Sequence, residues 1–208
     1  MPLPVLAGFV TFEGIDGSGK TTVSKLAADR LRSRGHAVHW TSEPTAGWVG
    51  DAVRRGIAED RGPLAEAFLF LADRATHLPE IRSHLAKGEL VLCDRYAHST
   101  YAYQGARLQG ILRDPIPFLE RASEPWVLRP DLILFLKVPV GVAMARIKDR
   151  PDRIRFEDAG LLTKVAANYD RLAKTRRFVV LDASRPADDA ADDAVSAIEA
   201  RLSSRRGR

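Results

Sequence analysis

The residues most clearly suited to chemistry form one glycine-rich segment near the start of the chain. Its spacing is Gly-x-x-x-x-Gly-Lys-Thr, and its members are Gly14, Ile15, Asp16, Gly17, Ser18, Gly19, Lys20 and Thr21. Glycine permits backbone conformations that turn successive N–H groups toward phosphate oxygens, and the N-terminus of a following helix adds its dipole. Lys20 would bring a positive charge to the β- and γ-phosphates, and the Thr21 hydroxyl would bind Mg²⁺. The segment therefore predicts binding of a nucleoside triphosphate, although it does not identify a reaction.

A second polar segment follows the apolar run Leu90–Cys93. It begins with Asp94 and Arg95 and continues with Ser99, Thr100, Tyr103 and Gln104. Because ligands bind beyond the carboxyl ends of parallel strands, Asp94 and Arg95 should project at the edge of a sheet where a ligand binds. Taken singly, these residues have ordinary alternatives. Asp94 and Arg95 could form a structural ion pair, and Tyr101 and Tyr103 could be half-buried packing residues.

A long amphipathic stretch, Leu64–Leu85, places an aromatic ring beside a guanidinium group. Its apolar residues recur at steps of three and four, which is the pattern of a helix with one face on a core. Phe70 and Arg74 lie four residues apart at the border of that face, so a helix could present both at the edge of a cleft. The alternative is an ordinary core phenylalanine beside a surface arginine, and spacing alone favours that alternative.

The rest of the chain supplies the elements that must position these residues. Short apolar runs alternate with longer amphipathic stretches, which is typical of a parallel sheet covered by helices. The predicted strands are Phe9–Phe12, Ala37–Trp40, Leu90–Cys93, Leu132–Leu136 and Phe178–Leu181. The predicted helices are Lys20–Ser33, Val49–Ile57, Pro63–Ala86, Pro139–Ile147, Leu161–Lys174 and Ala187–Leu202. We predict a single α/β domain over residues 1–208, with a five-stranded parallel sheet flanked by helices, and assign no role to Arg107–Trp126.

Composition restricts the class of protein. Apolar residues make up 45% and charged residues 28% of the 208 residues, as expected of a globular chain with a buried core. No apolar run could span a bilayer and the N-terminus lacks the charged region of a secretory signal, so we expect no membrane contact. The single cysteine, Cys93, excludes an intramolecular disulfide and is compatible with a cytoplasmic protein. The net charge of +5 could indicate nucleic-acid binding, but the basic residues are spread along the chain, which favours a site for anionic nucleotides.

These segments together resemble the thymidylate kinase family, a branch of the P-loop nucleoside monophosphate kinases. The resemblance runs from about Phe9 to Tyr169 and rests on the phosphate loop, on Phe70 with Arg74, and on Asp94-Arg95-Tyr96 followed by Ser99 and Tyr103-Gln104. The Asp-Arg-Tyr segment with the serine and Tyr-Gln that follow it is specific to that family, whereas a phosphate loop is not. The resemblance implies that ATP with Mg²⁺ phosphorylates dTMP to dTDP, and that the protein is a homodimer.

The resemblance also implies roles for individual residues around the acceptor. Phe70 would stack on the thymine ring and Arg74 would reach the edge of the base. Arg95 would grip the acceptor monophosphate with its planar fork of donors. Tyr103 would lie under the sugar, where its bulk disfavours a 2′-hydroxyl. The remaining implied nucleotide contacts are Ser99, Thr100 and Gln104.

Two acidic residues are implied to serve the metal or the transferring phosphate. Asp94 is expected near Mg²⁺ or its waters, together with Thr21. Asp16 matches an acidic position of the family near the transferring phosphate or the metal. No general base is needed, because the second pKa of a phosphate monoester is about 6 and its oxygen is already anionic near neutral pH. We therefore assign no catalytic role to any of the five histidines.

The phosphate loop contains no arginine that could add to the positive charge of Lys20 during catalysis. The missing positive charge must therefore come from elsewhere, and a basic cluster at about 146–157 resembles the lid of family members that supply it there. The cluster contains Arg146, Lys148, Arg150, Arg153 and Arg155, with Pro151 breaking any helix. We expect a small mobile lid that excludes water when it closes, with Arg150 and Arg153 as the catalytic arginines. The alternative is a solvated basic loop.

One position departs from the common pattern of the family. Many bacterial members carry Arg-Glu-Pro-Gly-Gly after the second strand, whereas this chain has Ser42 before Glu43 and Pro44. The task of the missing arginine is therefore absent here or falls to another group.

Two other classes of function stay open from the sequence. The first is a kinase for a different nucleoside monophosphate or for a deoxynucleoside, which would need a base to take the hydroxyl proton. The second is a nucleotide-binding switch or nucleic-acid-binding regulator, against which the Asp-Arg-Tyr segment and the lid-like cluster both count. Phe70, Arg74 and Gln104 favour a pyrimidine acceptor.

Overall fold

The computed structural model describes residues 6–148, 158–174 and 177–203 of the chain. At its centre is one sheet, whose strands are β1 (Gly8–Glu13), β2 (Val38–Ser42), β3 (Leu90–Asp94), β4 (Leu132–Lys137) and β5 (Phe178–Asp182). The strands lie in the order β2-β3-β1-β4-β5, and neighbouring strands are parallel throughout. This arrangement confirms the predicted fold class. Only β2 lies noticeably off its predicted position, beginning one residue later and ending two residues later.

Helices flank the sheet on both faces. Within the described residues they are α1 (Lys20–Ser33), α2 (Trp48–Ala58), α3 (Pro63–Ala86), α4 (Ala97–Arg107), α5 (Pro115–Ser123), α6 (Val140–Ile147), α7 (Ala159–Leu172) and α8 (Ala187–Ser203). Six of them confirm predicted helices to within two residues at each end. No helix in the described ranges combines the length and apolarity that crossing a membrane requires.

Helices α4 and α5 were absent from the sequence-based prediction. Nine of the eleven residues of α4 are buried, so this helix has no broad polar face to reveal a period of 3.6 residues. Helix α5 is only nine residues long and begins at Pro115, directly after Asp114. A helix that is enclosed on nearly every side, as α4 is, therefore escapes a prediction that depends on amphipathicity.

Alternate residues of the central strands face opposite layers of the molecule. Val10 and Leu92 pack into one core with Leu31 of α1, whereas Phe9 and Val91 pack into a second core with Ile81 of α3. Burial on both faces explains why the strands read as short continuous apolar runs.

The carboxyl ends of β1, β2 and β3 meet at one edge of the sheet. The backbone N–H of Arg95 donates to the carbonyl of Phe12 at 2.9 Å, and that of Glu43 donates to the carbonyl of Asp94 at 3.1 Å. These bonds lock together the three loops that leave the strands. Residues far apart in sequence are thereby placed around one site.

Candidate functional site

The phosphate loop connects β1 to α1 and requires glycine for steric reasons. Gly14, Gly17 and Gly19 have φ angles of +150°, +80° and +85°, in the region that other residues rarely adopt. A Cβ atom on Gly14 would lie 2.6 Å from the carbonyl oxygen of Leu136, and one on Gly17 would clash with the carbonyl of Ala143. The loop is therefore shaped as the spacing predicts, and close packing on its outer side holds it there.

Lys20 folds back over the loop that precedes it. Its Nζ donates to the carbonyl of Ile15 at 2.8 Å and lies 3.4 Å from the Ser18 hydroxyl. Burial, together with the nearby Arg95 guanidinium, lowers the pKa of Lys20 to about 7 against the opposing effect of Asp16. An anionic phosphate group in the loop would favour the charged form of this lysine.

Thr21 and Asp94 meet at the start of α1, as the metal prediction requires. The Thr21 hydroxyl donates to Oδ2 of Asp94, while Oδ1 of Asp94 is buried and has no hydrogen-bond partner among the described residues. A hydroxyl and a carboxylate with an unpartnered oxygen form a donor set that suits Mg²⁺, which is commonly bound by one or two carboxylates and substrate phosphates. The described residues contain no cluster of three acidic, histidine or cysteine side chains that could hold a metal alone.

Asp16 does not join that pair but turns toward a neighbouring cavity. Its carboxylate accepts hydrogen bonds from Nη2 of Arg95 and, at 2.8 Å, from the Tyr103 hydroxyl. The same hydroxyl accepts a bond from the Asp16 backbone N–H at 2.7 Å. The alternative of an Asp94–Arg95 ion pair is therefore wrong, because Arg95 pairs with Asp16 and Asp94 with Thr21.

The neighbouring cavity, here called the acceptor cavity, has a volume of about 470 Å³. Its walls bring together Asp16 and all but one of the residues predicted to bind the acceptor, namely Phe70, Arg95, Ser99, Thr100, Tyr103 and Gln104. The amide oxygen and nitrogen of Gln104 are both buried and have no hydrogen-bond partner in the described part of the chain. Because orphaned buried polar atoms are costly, this amide suits a polar ligand.

Arg95 forms the charged end of the acceptor cavity. It has a positive φ of 68°, and its guanidinium lies 5.3 Å from the centre of the Tyr103 ring. Burial alone would lower the pKa of Arg95, but Asp16 and other nearby groups raise it well above its usual value. The guanidinium is therefore a permanent positive charge, held by a carboxylate in a part of the cavity suited to an anion.

A buried carboxylate that the sequence analysis missed supports this end of the cavity. Glu13, at the end of β1, accepts hydrogen bonds from the Tyr96 backbone N–H at 3.0 Å, from Ser99 at 2.6 Å and from Tyr169 at 3.0 Å. Burial raises the pKa of Glu13, and the bonds from Ser99 and Tyr169 counter the effect. A signal was present, because Glu13 is a charged residue directly after an apolar run, as Asp94 is.

Arg74 lies behind the wall of the acceptor cavity. Its side chain is 1% exposed, and its Nη2 donates to Glu43 at 2.7 Å and to Thr100 at 2.8 Å. Burial alone would lower the pKa of Arg74, but the Glu43 carboxylate and Tyr96 raise it. The alternative of a surface arginine is wrong, and the guanidinium reaches the cavity through Thr100 rather than lying at the edge of a cleft.

Three further residues of the wall were not predicted from the sequence: Pro44, Arg54 and Ile57. Arg54 of α2 donates to the carbonyl of Thr45 at 2.7 Å and to Asp51 at 2.7 Å. A useful signal was the departure at Ser42 from the pattern of the family that the sequence resembles, because another basic group close to the loop after β2 could compensate. Arg54 is an exposed arginine beside that loop.

A second cavity, of about 320 Å³, lies on the other side of the phosphate loop. It is bounded by Gly17–Gly19, by Arg146 and by residues 183–187 after β5. The Arg146 guanidinium donates to the carbonyl of Ala183 at 2.8 Å. Arg150 and Arg153, the predicted catalytic arginines of the lid, lie outside the described residues.

A third cavity, of about 570 Å³, lies away from the phosphate loop and the acceptor cavity. It is bounded by α4, α5 and the start of β4, and it contains no residue of the phosphate loop. His98 borders it, with its ring edge-on to Tyr101 and Phe178. Burial lowers the pKa of His98 to about 3. The histidine nearest in sequence to Arg95 thus borders this cavity and does not border the acceptor cavity.

Fold and site together define a nucleotide-binding phosphotransferase of the P-loop class. A glycine-rich loop at the carboxyl end of β1 is followed by a helix, and the acceptor cavity, with the permanent positive charge of Arg95, adjoins this loop. This is the combination expected where a phosphoryl group moves between two bound molecules.

Comparison with known proteins narrows the class further. A family model described as thymidylate kinase matches residues 12–194. The chain is 43% identical over 202 residues to a probable thymidylate kinase of Methanoculleus marisnigri, which covers 96% of this chain and 98% of that protein. It is 42% identical over 198 residues to a probable thymidylate kinase of Natronomonas pharaonis, covering 93% and 98% of the two chains. The chain therefore belongs to the thymidylate kinase family.

Proposed function

We propose that this protein transfers the γ-phosphoryl group of ATP to dTMP, giving ADP and dTDP. The position of Asp16 carries the proposal, because this residue belongs to the phosphate loop and also bonds to Arg95 and Tyr103 in the acceptor cavity. The loop for the donor and the cavity for the acceptor thus share a wall. Membership of the thymidylate kinase family supports dTMP as the acceptor.

The donor phosphates would lie in the phosphate loop. Lys20 would contact the β- and γ-phosphates, and the cavity beside Arg146 has room for the rest of the nucleotide. Thr21 and Asp94 would hold Mg²⁺, which would neutralise charge on the phosphates of the donor.

The acceptor would occupy the cavity from Phe70 to Arg95. Phe70 offers a ring for stacking on the base, and Arg95 offers a planar fork of donors for the monophosphate. The hydrogen-bonded pair of Tyr103 and Asp16 would lie against the sugar. Thr100 and Gln104 offer hydrogen-bonding groups to the edge of the base.

The transfer itself requires positioning and positive charge rather than a base. An anionic phosphate oxygen of dTMP forms the new bond to the γ-phosphorus, and the bond from that phosphorus to the β–γ bridging oxygen breaks, with its electrons leaving on ADP. Lys20 and Arg95 would stabilise the charge that shifts among these oxygens. Arg150 and Arg153 are proposed to complete the charge from the lid.

A panel of acceptors tests the assignment. Purified protein is mixed with MgATP and dTMP, dUMP, dCMP, dGMP or thymidine, and ADP release is coupled to a spectroscopic readout. We expect the highest kcat/KM with dTMP and none with thymidine. Preferred phosphorylation of another monophosphate would overturn the substrate, and no transfer to any acceptor would overturn the reaction.

We also propose that the protein acts as a homodimer in the cytoplasm. Leu64 and Phe68 of α3 are exposed, and the Phe68 ring lies edge-on to Phe118 of α5 at 6.5 Å. A second copy that covered these apolar side chains would remove them from water. Light scattering in solution would give twice the mass of one chain, and a monomeric mass would contradict the proposal.

A further inference from the structure

A chain of buried polar groups lies behind the base end of the acceptor cavity, and we call it the buried relay (Thr41, His77, Glu43 and Arg74). The Thr41 hydroxyl lies 2.7 Å from Nε2 of His77, and Nδ1 of His77 lies 3.1 Å from Glu43. The other oxygen of Glu43 accepts from Nη2 of Arg74 at 2.7 Å. All four residues are buried, and neither Thr41 nor His77 borders the cavity.

His77 fixes the orientation of the Glu43 carboxylate. With its proton on Nδ1, the imidazole donates to Glu43, and Nε2 accepts from the Thr41 hydroxyl. A buried carboxylate needs both oxygens satisfied if it is to hold a buried arginine in one geometry. Without His77, one oxygen of Glu43 would lose its partner and the carboxylate could turn about its own bond.

Arg74, held by Glu43, donates a hydrogen bond that orients the Thr100 hydroxyl. A guanidinium has only donors, so Thr100 must accept the bond of 2.8 Å that joins them. In the described part of the chain the Thr100 hydroxyl donates to no other group, and Thr100 borders the acceptor cavity. Its one hydrogen is therefore available to a molecule in the acceptor cavity. The unpartnered Gln104 amide can turn to present either its oxygen or its nitrogen, so it does not impose this polarity.

We infer that His77 is a positioning residue which, through Glu43 and Arg74, makes the Thr100 hydroxyl a fixed donor that selects a carbonyl group on the bound base. The inference rests on the proposed function and explains how the cavity would prefer dTMP to dCMP. Thymine carries a carbonyl where cytosine carries an amino group, and a donor that faces an amino group finds no acceptor. A site built to hydrogen-bond one group rejects an analogue that cannot complete the bond.

The test is an internal competition between dTMP and dCMP in a single reaction with MgATP, with both diphosphates quantified by chromatography. The product ratio gives the ratio of the two kcat/KM values and does not depend on how much enzyme is folded. We expect His77→Leu to lower this ratio about tenfold, by raising KM for dTMP while kcat stays within about threefold. His77→Asn keeps a donor close to the position of Nδ1 and should restore most of the preference. His84→Leu is the matched control, since His84 lies on the same helix but bonds to Glu89 and should leave the ratio unchanged.

Repeating the His77→Leu substitution in a Thr100→Val variant distinguishes a positioning role of His77 from a simple loss of structure. In Thr100→Val the hydroxyl is absent, so the same His77→Leu change should no longer alter the ratio. If His77→Leu does not fold, Thr41→Val removes the far end of the relay with almost no change of shape, and it should lower the ratio in the same direction.

The inference is overturned if His77→Leu lowers the melting temperature and leaves the product ratio unchanged, or if it changes the ratio equally with and without the Thr100 hydroxyl. It is also overturned if the wild-type protein phosphorylates dTMP and dCMP equally well, in which case the reaction assigned above still stands. A wild-type protein that phosphorylates neither nucleotide would instead overturn the proposed function.

Discussion

The two ends of the acceptor cavity hold their arginines in different ways. At the base end Arg74 is completely enclosed and pairs with Glu43, whose side chain is 3% exposed. At the phosphate end Arg95 is 21% exposed and pairs with Asp16, which belongs to the phosphate loop. One arginine is thus part of the core, whereas the other faces a site where an anion can compete for it.

This difference suggests that the base end contributes mainly to stability and the phosphate end mainly to the reaction. A buried ion pair is costly to break but adds little net stability, so the base end should be rigid and sensitive to loss of either partner. A partly exposed pair is weaker, so the phosphate of an acceptor can take over the donors of Arg95. We therefore expect substitutions at the phosphate end to reduce turnover mainly, and substitutions at the base end to reduce stability and selectivity.

The largest expected effect is on turnover at the phosphate end. Arg95→Ala should lower kcat/KM for dTMP by about 10³-fold, because the site loses a positioned positive charge that stabilises the oxygens during phosphoryl transfer. Arg95→Lys keeps the charge without the planar fork and should recover only part of the loss. Steady-state kinetics with MgATP measures both variants. A loss smaller than about tenfold for the alanine variant would contradict the role given to Arg95.

The next effect is on stability at the base end. Arg74→Ala should lower the free energy of unfolding by about 3–5 kcal/mol, because Glu43 is left as a buried charge without its partner. The double variant Glu43→Gln with Arg74→Met removes both charges and should recover most of that loss. Urea denaturation with an unchanged m-value is the measurement. If Arg95→Ala destabilises the protein as much as Arg74→Ala, the contrast between the two ends is wrong.

A smaller effect concerns the aromatic wall. Phe70→Ala should raise KM for dTMP by about tenfold, since stacking of a base on an aromatic ring is worth about 1–3 kcal/mol. The value of kcat should change less, because the ring is distant from the transferring phosphate. Phe70→Tyr retains the ring and serves as the control. An unchanged KM in the alanine variant would show that the base does not lie on this side chain.

The smallest expected effect is the uptake of a proton by the phosphate loop when ATP binds. Lys20 has a pKa of about 7, so at pH 8 it is mostly neutral in the free protein. Bound phosphates favour the charged form, so binding of ATP at pH 8 should take up close to one proton at this residue. Calorimetry in buffers of different ionisation enthalpy measures the uptake. Lys20→Arg stays charged throughout, and the uptake should disappear in this variant; equal uptake in both proteins would contradict the prediction.

Local patterns in the sequence were enough to predict the sheet, six helices and the shape of the phosphate loop. Each of these features is determined by neighbouring residues: glycines that allow positive φ, apolar runs that form buried strands, and stripes that form amphipathic helices. The partners of the site arginines could not be predicted in this way. Arg95 and Asp16 are 79 residues apart, and Arg74 and Glu43 are 31 apart.

The packing of the whole chain therefore decides which carboxylate meets which arginine. The sequence alone left an Asp94–Arg95 pair open, because the two residues are adjacent. In the fold, the strand end turns them apart, so that Asp94 faces Thr21 of α1. Helix α4 was missed for a related reason, since tertiary burial on nearly every side removed the polar face that would have revealed it.

The most direct test of the account measures the binding of dTMP and of thymidine to the wild-type protein and to Arg95→Ala by calorimetry. The two ligands differ only in the phosphate that Arg95 is proposed to hold. We predict that the substitution weakens dTMP binding by about 30-fold or more, as expected when a charged hydrogen-bond partner is removed, and leaves thymidine binding nearly unchanged. An equal loss for both ligands would contradict the placement of the phosphate at Arg95 and of the base at Phe70.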